Sequence, residues 1–156
     1  MSAPVAIVGA GSIGVSWAIV FARAGRSVRM QDPDAARREA VPGEIAARLA
    51  QLDEAGLLDE APDAIAARVT VAADLAATVA RAGHVQECAP ERLELKRELF
   101  ARLDGLAAPD AVLASSSSAI VASRFAEGLP GRARCLVVHP GNPPHLIPVV
   151  EVVPAP

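Results

Sequence analysis

Aromatic side chains are scarce in this sequence. It has no tyrosine, one tryptophan and three phenylalanines, so aromatic residues make up 3% of its 156 positions. Proteins that bind single-stranded nucleic acid stack bases on aromatic side chains within positively charged grooves. The net charge of -3 at pH 7 also provides no basic surface for nucleic acid or anionic lipid. We therefore expect neither nucleic acid nor a membrane among the partners.

Cysteine is scarce as well. Cys88 and Cys135 each lie within an apolar run that is typical of a β-strand. Neither stands at a metal-ligand spacing from other cysteines or histidines. The pattern predicts two buried free thiols in a reducing cytoplasm, and no metal site.

The sequence has no long uninterrupted apolar segment. Residues 3–22 are strongly apolar, but three glycines and two serines interrupt them, and no lysine or arginine precedes them. A signal peptide needs a basic start, and a membrane helix needs about 20 predominantly apolar residues. We expect neither in this chain.

What the sequence has in quantity is apolar residues, at 52%, against 21% charged residues. This composition predicts one globular domain, which we assign to residues 1–156. Six apolar strand-like runs alternate with helical patterns, and a seventh apolar run contains Pro148, which confines it to a sheet edge or a bulge. The predicted strands are 5–8, 27–31, 68–71, 84–88, 111–114 and 134–138, followed by the apolar run 146–153.

Helices are predicted between these strands. We expect Pro42-Gly43 to divide the segment 34–67 into two pieces, the second with a stripe of Ile45, Leu49 and Leu52. The other predicted helices cover about 12–23, 75–81, 91–103, and a segment from the serines to about 127. Strands alternating with helices indicate an α/β fold of the Rossmann type, doubly wound, with a mostly parallel sheet and helices on both faces.

Gly9, Gly11 and Gly14 form a G-x-G-x-x-G motif between the first strand and the first helix, and Asp32 follows at the end of the second strand. In this context the motif is typical of dinucleotide binding. The glycines permit a tight turn, close approach of a pyrophosphate, and close packing of helix on strand, while the helix N-terminus attracts the phosphates. Asp32 would accept hydrogen bonds from the adenosine ribose and repel a 2′-phosphate, which favours NAD over NADP. The alternative is a glycine turn without a ligand, with Asp32 as an ordinary turn acid.

Other polar residues also follow predicted strands. They are Glu91, the four serines 115–118, and His139. Ligands of open parallel sheets bind beyond the carboxyl ends of the strands. We therefore expect these residues to lie at the same edge of the sheet as the glycine motif.

Several stretches resemble the 3-hydroxyacyl-CoA dehydrogenase family, and within it the lambda-crystallin (L-gulonate 3-dehydrogenase) branch. The resemblance spans essentially the whole chain, and its most specific part is the histidine-proline segment followed by Val-Glu-Val-Val. The stretches that carry it are 9–14 (GAGSIG), 85–91 (VQECAPE), 95–97 (LKR), 114–118 (ASSSS), 139–144 (HPGNPP) and 146–153 (LIPVVEVV).

The resemblance implies NAD-dependent oxidation of a secondary 3-hydroxyl to a ketone in a small 3-hydroxyacyl substrate. It implies that His139 is the general base, that Glu151 orients it, and that Ser118 lies near the substrate oxygen and the nicotinamide. The remaining cofactor-binding residues implied by the motif and the family are Gly9, Gly11, Ser12, Ile13, Gly14, Asp32, Glu91, Lys96 and Asn142.

Simpler interpretations of the same residues stay open. His139 could be a structural histidine at a strand end, and Glu151 could point into solvent from an edge strand. Without the resemblance, Glu91 is most economically an acid favoured by a helix dipole, and Lys96 a solvated surface residue. Neither His84 nor His145 has a partner that the sequence identifies.

The family also has a second, helical domain that closes the substrate site and forms the dimer. The resemblance implies that this domain lies outside the 156 residues, so that a homodimer is expected only with it. Two rival functions remain open. One is oxidation of a free 3-hydroxy acid such as L-gulonate, and the other is a dinucleotide-binding module without catalysis.

Overall fold

The computed structural model describes residues 3–155, which form one seven-stranded sheet. The strands lie in the order β3-β2-β1-β4-β5-β6-β7; the first six are parallel and β7 pairs antiparallel with β6. The predicted α/β class is confirmed. The strands are β1 (Val5–Val8), β2 (Val28–Gln31), β3 (Val69–Ala72), β4 (His84–Glu87), β5 (Val112–Ser115), β6 (Cys135–Pro140) and β7 (Val150–Pro154).

Helices cover both faces of the sheet. Alternate residues of a strand point to opposite faces, and accordingly Val5 and Ile7 join the core beneath α1, α2 and α3, while Ala6 and Val8 join the core beneath α4, α5 and α6. The helices are α1 (Ser12–Arg23), α2 (Ala35–Glu54), α3 (Pro62–Ala66), α4 (Leu75–Val79), α5 (Leu93–Leu106) and α6 (Ala122–Phe125), with a 3-10 turn at Arg132–Arg134.

The predicted break at Pro42-Gly43 is wrong, because α2 continues through both residues. A proline inside a helix costs about 3 kcal/mol. The buried stripe of this helix comprises Val41, Ile45, Leu49 and Leu52. Burying each of these side chains contributes roughly 1.5–3 kcal/mol, so the stripe as a whole outweighs the proline.

The predicted helix from the serines to about residue 127 is also wrong, since α6 has only four residues. The preceding backbone forms a turn whose N–H groups find side-chain acceptors. Ile120 N–H donates to the Ser117 hydroxyl at 2.8 Å, and Ala119 N–H donates to the Glu91 carboxylate at 3.0 Å. A serine hydroxyl that accepts from the local backbone, as that of Ser117 does, competes with helix formation.

The two cysteines are free, Cys135 buried and Cys88 half-buried. Burial raises the pKa of Cys88 to about 12 and that of Cys135 to about 11, so both remain thiols at neutral pH. Among residues 3–155, none of the helices has the length and apolar character to cross a membrane.

The core under α5 offers a test of the fold. Phe100 is fully buried, and its ring centroid lies 4.2 Å from that of Phe125. We expect Phe100→Ala to lower the free energy of unfolding by about 3–5 kcal/mol in urea denaturation, because it leaves a cavity. Leu106→Ala, on the same helix but 36% exposed, is the control and should cost about 1 kcal/mol or less. Equal losses would contradict the packing described here.

Candidate active site

The glycine turn between β1 and α1 requires glycine at two positions. Gly9 has φ +104°, and a Cβ there would lie 2.8 Å from the carbonyl of Cys88. A Cβ on Gly14 would overlap the carbonyl oxygen of Gly9. By contrast, a Cβ on Gly11 would meet no atom of the chain within 4 Å. The space beside Gly11 is therefore available to a ligand, as the dinucleotide motif predicts, and Ser12 and Ile13 continue from it as the first turn of α1.

A cleft of about 700 Å³ opens beside this turn. Its lining includes Gly9, Gly11, Asp32 and Arg37, together with residues of α5. It thus combines the backbone of a phosphate-binding turn with a carboxylate at the end of the neighbouring strand. Dinucleotide sites of this fold need that combination for the pyrophosphate and the adenosine ribose, so the residues present fit NAD.

The Asp32 carboxylate also holds the glycine turn in place. One oxygen accepts from the N–H of Ala10 at 2.8 Å and the other from the N–H of Asp34 at 2.9 Å. The carbonyl of the same Ala10 accepts from Arg37 Nη2 at 2.6 Å and Nε at 3.2 Å. A carboxylate has about four acceptor positions, so Asp32 keeps capacity for ribose hydroxyls. Nothing in the local pattern predicts that Arg37 contacts this turn.

His139 and Glu151 form a cross-strand pair. The antiparallel register sets His139 of β6 directly opposite Glu151 of β7, and His139 Nδ1 lies 2.8 Å from a Glu151 oxygen. A carboxylate only accepts, so Nδ1 carries the proton and Nε2 is the basic nitrogen of the neutral ring. Ser118 lines the same small pocket of about 80 Å³. The structure therefore brings these three residues together.

Glu91 organises the backbone of the serine segment. Its carboxylate accepts from the Ser117 hydroxyl and from the N–H groups of Ser118 at 3.2 Å and Ala119 at 3.0 Å. Burial alone would raise the pKa of Glu91, but these hydrogen bonds and the Lys96 ammonium lower it below its ordinary value. Glu91 therefore stays ionised at neutral pH and fixes the position of Ser118.

Lys96 is not the solvated surface residue that its helical position suggests. Its side chain is 1% exposed, and its ammonium lies 2.9 Å from both oxygens of Glu87, which is fully buried. The Ser115 hydroxyl donates to the same carboxylate, and Glu91 lies 3.5 Å from the ammonium. The chain has no other lysine. Glu87 is not among the residues predicted from the sequence, although an acid at the end of a buried strand indicates a buried counter-ion.

Asn142 lies on the exposed turn after β6, immediately before a cis bond to Pro143. His145, further along the turn, does have a partner. The Ser16 hydroxyl of α1 lies 2.9 Å from His145 Nδ1 and accepts from Arg48 at 2.7 Å. Arg48 also donates to the carbonyl of Ser12 at 2.8 Å. The proline-rich turn is thus connected to the helix that begins in the glycine turn.

Across residues 3–155, histidine, cysteine and acidic side chains form no group of three or more placed to hold a metal ion. What the described site offers is a glycine turn at a helix N-terminus, a carboxylate beside that turn, and a histidine–carboxylate pair at the same edge of a parallel sheet. The glycine turn and the carboxylate together are typical of a dinucleotide-binding domain.

Comparison with known proteins assigns the family. The sequence model described as "3-hydroxyacyl-CoA dehydrogenase, NAD binding domain" matches residues 4–156. The chain therefore belongs to the 3-hydroxyacyl-CoA dehydrogenase family, as its NAD-binding domain, and its cofactor is NAD.

Relatives and solved structures agree. The chain is 42% identical to a lambda-crystallin homolog of Bos taurus over 99% of its length and 50% of the relative's. It is 44% identical to an L-carnitine dehydrogenase of Streptomyces griseus, over 96% of its length and 44% of the relative's. The structure of a 3-hydroxybutyryl-CoA dehydrogenase from Escherichia coli superposes with a TM-score of 0.90 at 30% identity, over 97% of this chain and 32% of that one. The chain thus spans about half the length of the curated relatives it matches.

The buried pair of Lys96 and Glu87 leads to a stability prediction. Lys96→Met leaves the Glu87 carboxylate buried without its counter-ion, and we expect a loss of about 3–5 kcal/mol in the free energy of unfolding. The matched control is Arg97→Met, because Arg97 is 47% exposed and pairs with Glu127 at the surface; it should cost about 1 kcal/mol or less. Adding Glu87→Gln to Lys96→Met should restore part of the loss, and a double variant no better than the single one would contradict the pairing.

The environment of His145 leads to a pH prediction. Burial lowers its pKa, and the charges of Arg48 and Arg23 lower it further. As the pH falls through about 6.5, the unfolded chain takes up this proton before the folded chain does, so stability decreases towards acid. We expect His145→Gln to flatten the dependence of the unfolding free energy between pH 7 and pH 5. A slope unchanged from that of the wild type would refute the assignment.

Proposed function

We propose that this chain is the cofactor-binding half of an enzyme that oxidises a secondary 3-hydroxyl to a ketone with NAD. The observation that carries the proposal is the His139–Glu151 pair at 2.8 Å, in a pocket shared with Ser118. A dinucleotide-binding module without catalysis has no need for a basic histidine nitrogen held in one tautomer beside a hydroxyl donor.

The residues that would hold the cofactor lie along one edge of the sheet. The 700 Å³ cleft would hold the adenosine, with Asp32 binding its ribose, and Gly11, Ser12 and Ile13 at the N-terminus of α1 would bind the pyrophosphate. Ser118, Asn142 and His139 would then lie at the nicotinamide end. The negative charge of Asp32 disfavours the 2′-phosphate of NADP.

Bound NAD supplies the hydride acceptor. His139 Nε2 takes the proton of the substrate hydroxyl, because Glu151 occupies the other ring nitrogen and leaves Nε2 free to act as a general base. Glu151 holds Nδ1–H in place and stabilises the imidazolium that results, as the carboxylate does in hydrolase triads. The Ser118 hydroxyl donates to the substrate oxygen as it becomes a carbonyl.

Glu91 and Lys96 act on the cofactor side through the serine segment. Glu91 binds the backbone of Ser118, and Lys96 neutralises Glu87 and Glu91 from the interior. Because Lys96 is 1% exposed, its proposed role is to position Glu91 and Ser118, with no direct contact to the nucleotide.

The substrate in this proposal is a small 3-hydroxyacyl compound, of which a CoA thioester is the first candidate. The similarity to an L-carnitine dehydrogenase and to lambda-crystallin homologs supports a second candidate, a free 3-hydroxy acid such as L-carnitine or L-gulonate. We further propose that a second, helical domain closes the site and forms a homodimer, and that the enzyme works in the cytoplasm, where its two thiols stay reduced.

Turnover and nucleotide binding together test this function. We expect the full open reading frame that contains these residues to reduce NAD with 3-hydroxybutyryl-CoA, L-carnitine or L-gulonate, and residues 1–156 alone to turn over little. His139→Gln should lower kcat/KM about 10²–10⁴-fold, the usual contribution of a general base. Glu151→Gln should lower it as well and should shift the acid limb of the pH–rate profile.

Neither variant should change the affinity for NADH, measured by fluorescence titration, because both lie outside the cleft. Normal NADH binding without turnover on any of these substrates would favour the non-catalytic module. Unchanged kcat/KM in His139→Gln would exclude His139 as the base.

A further inference from the structure

The lining of the adenosine cleft contains two arginines, Arg102 on α5 and Arg37 on α2, as well as the Asp32 carboxylate, and Arg37 is hydrogen-bonded to the glycine turn. Arg37 lines the same cleft, and its guanidinium binds the carbonyl of Ala10 while Asp32 binds the N–H of the same residue. Carboxylate and guanidinium are therefore anchored within one residue of each other, next to the place where the 2′ position of the ribose is expected.

We propose that Arg37 is a latent phosphate-binding residue: its guanidinium would bind the 2′-phosphate of NADP(H) once the Asp32 carboxylate is removed, so that Asp32 is the main determinant of specificity for NAD(H). This inference rests on the proposed placement of the adenosine ribose at Asp32. It goes beyond that proposal, because it assigns a function to Arg37 and predicts what its cation does when its neighbour changes.

The donor count of Arg37 supports this assignment. A guanidinium has five N–H donors in a planar fork that matches phosphate oxygens. Arg37 makes two hydrogen bonds to Ala10 and an ion pair to Glu44 at 2.9 Å. These three contacts leave two of the five donors for a ligand, and the side chain is 36% exposed.

The charges around the ribose explain why the native chain does not use this capacity. Asp32 and Asp34 lie on the cleft, and Glu44 holds one nitrogen of Arg37 from outside the cleft lining. A 2′-phosphate would therefore approach two carboxylates before it gained one cation that is already paired. Replacing Asp32 removes the nearest repulsion and opens the volume that a phosphate needs.

The experiment measures dissociation constants of NADH and NADPH by fluorescence titration of the chain itself. Asp32→Ser should move the ratio of the two affinities towards NADPH by about tenfold or more, as expected for a charge-assisted hydrogen bond. Asp32→Asn is a second variant that keeps an acceptor for the glycine turn, and it should move the ratio in the same direction. Circular dichroism and urea denaturation verify that each variant is folded.

Three double variants assign the gain to one residue. Adding Arg37→Gln to Asp32→Ser should abolish the gain in NADPH affinity. Adding Arg38→Gln is the matched control, because Arg38 follows in the chain but donates to the carbonyls of Asp32 and Pro33 and does not line the cleft. Adding Glu44→Gln should increase NADPH affinity further, since it releases the Arg37 nitrogen.

Two further readouts separate phosphate binding from loss of structure. Arg37→Gln in the native background should weaken both nucleotides without changing their ratio, because it removes the support of Ala10. In Asp32→Ser, affinity for NADPH should fall more steeply with added salt than affinity for NADH, since only the former depends on the extra phosphate contact.

The outcomes distinguish this inference from the function on which it rests. A native chain that binds neither nucleotide contradicts the proposed cofactor site. A native chain that binds NADH, together with folded Asp32 variants that gain nothing for NADPH, overturns only the role of Arg37. A gain that survives Arg37→Gln, or that Arg38→Gln removes equally, overturns it as well.

Discussion

Parallel pairing of the first six strands is the constraint on which the site depends. Parallel strands joined by right-handed crossovers end at the same edge of the sheet, so residues far apart in the chain meet there. Asp32 follows β2, Glu87 ends β4, Ser115 ends β5 and His139 lies near the end of β6. No residue of this set has to be near another in sequence, and each needs only to come at the end of its strand.

Two groups of polar residues lie along that edge, one around Asp32 and one around Glu91. On the cofactor side, Asp32 and Arg37 hold the two polar groups of Ala10 and so determine the shape of the phosphate turn. At the nicotinamide end, Glu91 holds the backbone of Ser118, and Glu91 in turn lies against the buried pair of Lys96 and Glu87. The first group uses charges at the surface, whereas the second uses a pair from which water is excluded and in which each partner requires the other.

The sequence was sufficient where the signal is local. Gly9 and Gly14 were predictable because each meets a steric requirement of the turn itself. The pairing of His139 with Glu151 came from the resemblance, and the antiparallel register of β6 and β7 gives its physical basis. The burial of Lys96 was not predictable from its helix, because it depends on Glu87 and Ser115, which arrive from two other strands. The continuity of α2 through Pro42 likewise depends on tertiary burial.

The position of Glu151 on the edge strand β7 also bears on self-association of the protein. β7 pairs with β6 on one side only, and Val150, Val152 and Val153 are 49%, 59% and 41% exposed. An apolar strand with an open hydrogen-bonding edge is a template for intermolecular sheet growth, which natural proteins suppress with a charge on the strand. Glu151 is the one charged residue of this strand. The carboxylate that pairs with His139 is therefore also the charge on this strand that opposes edge-to-edge association.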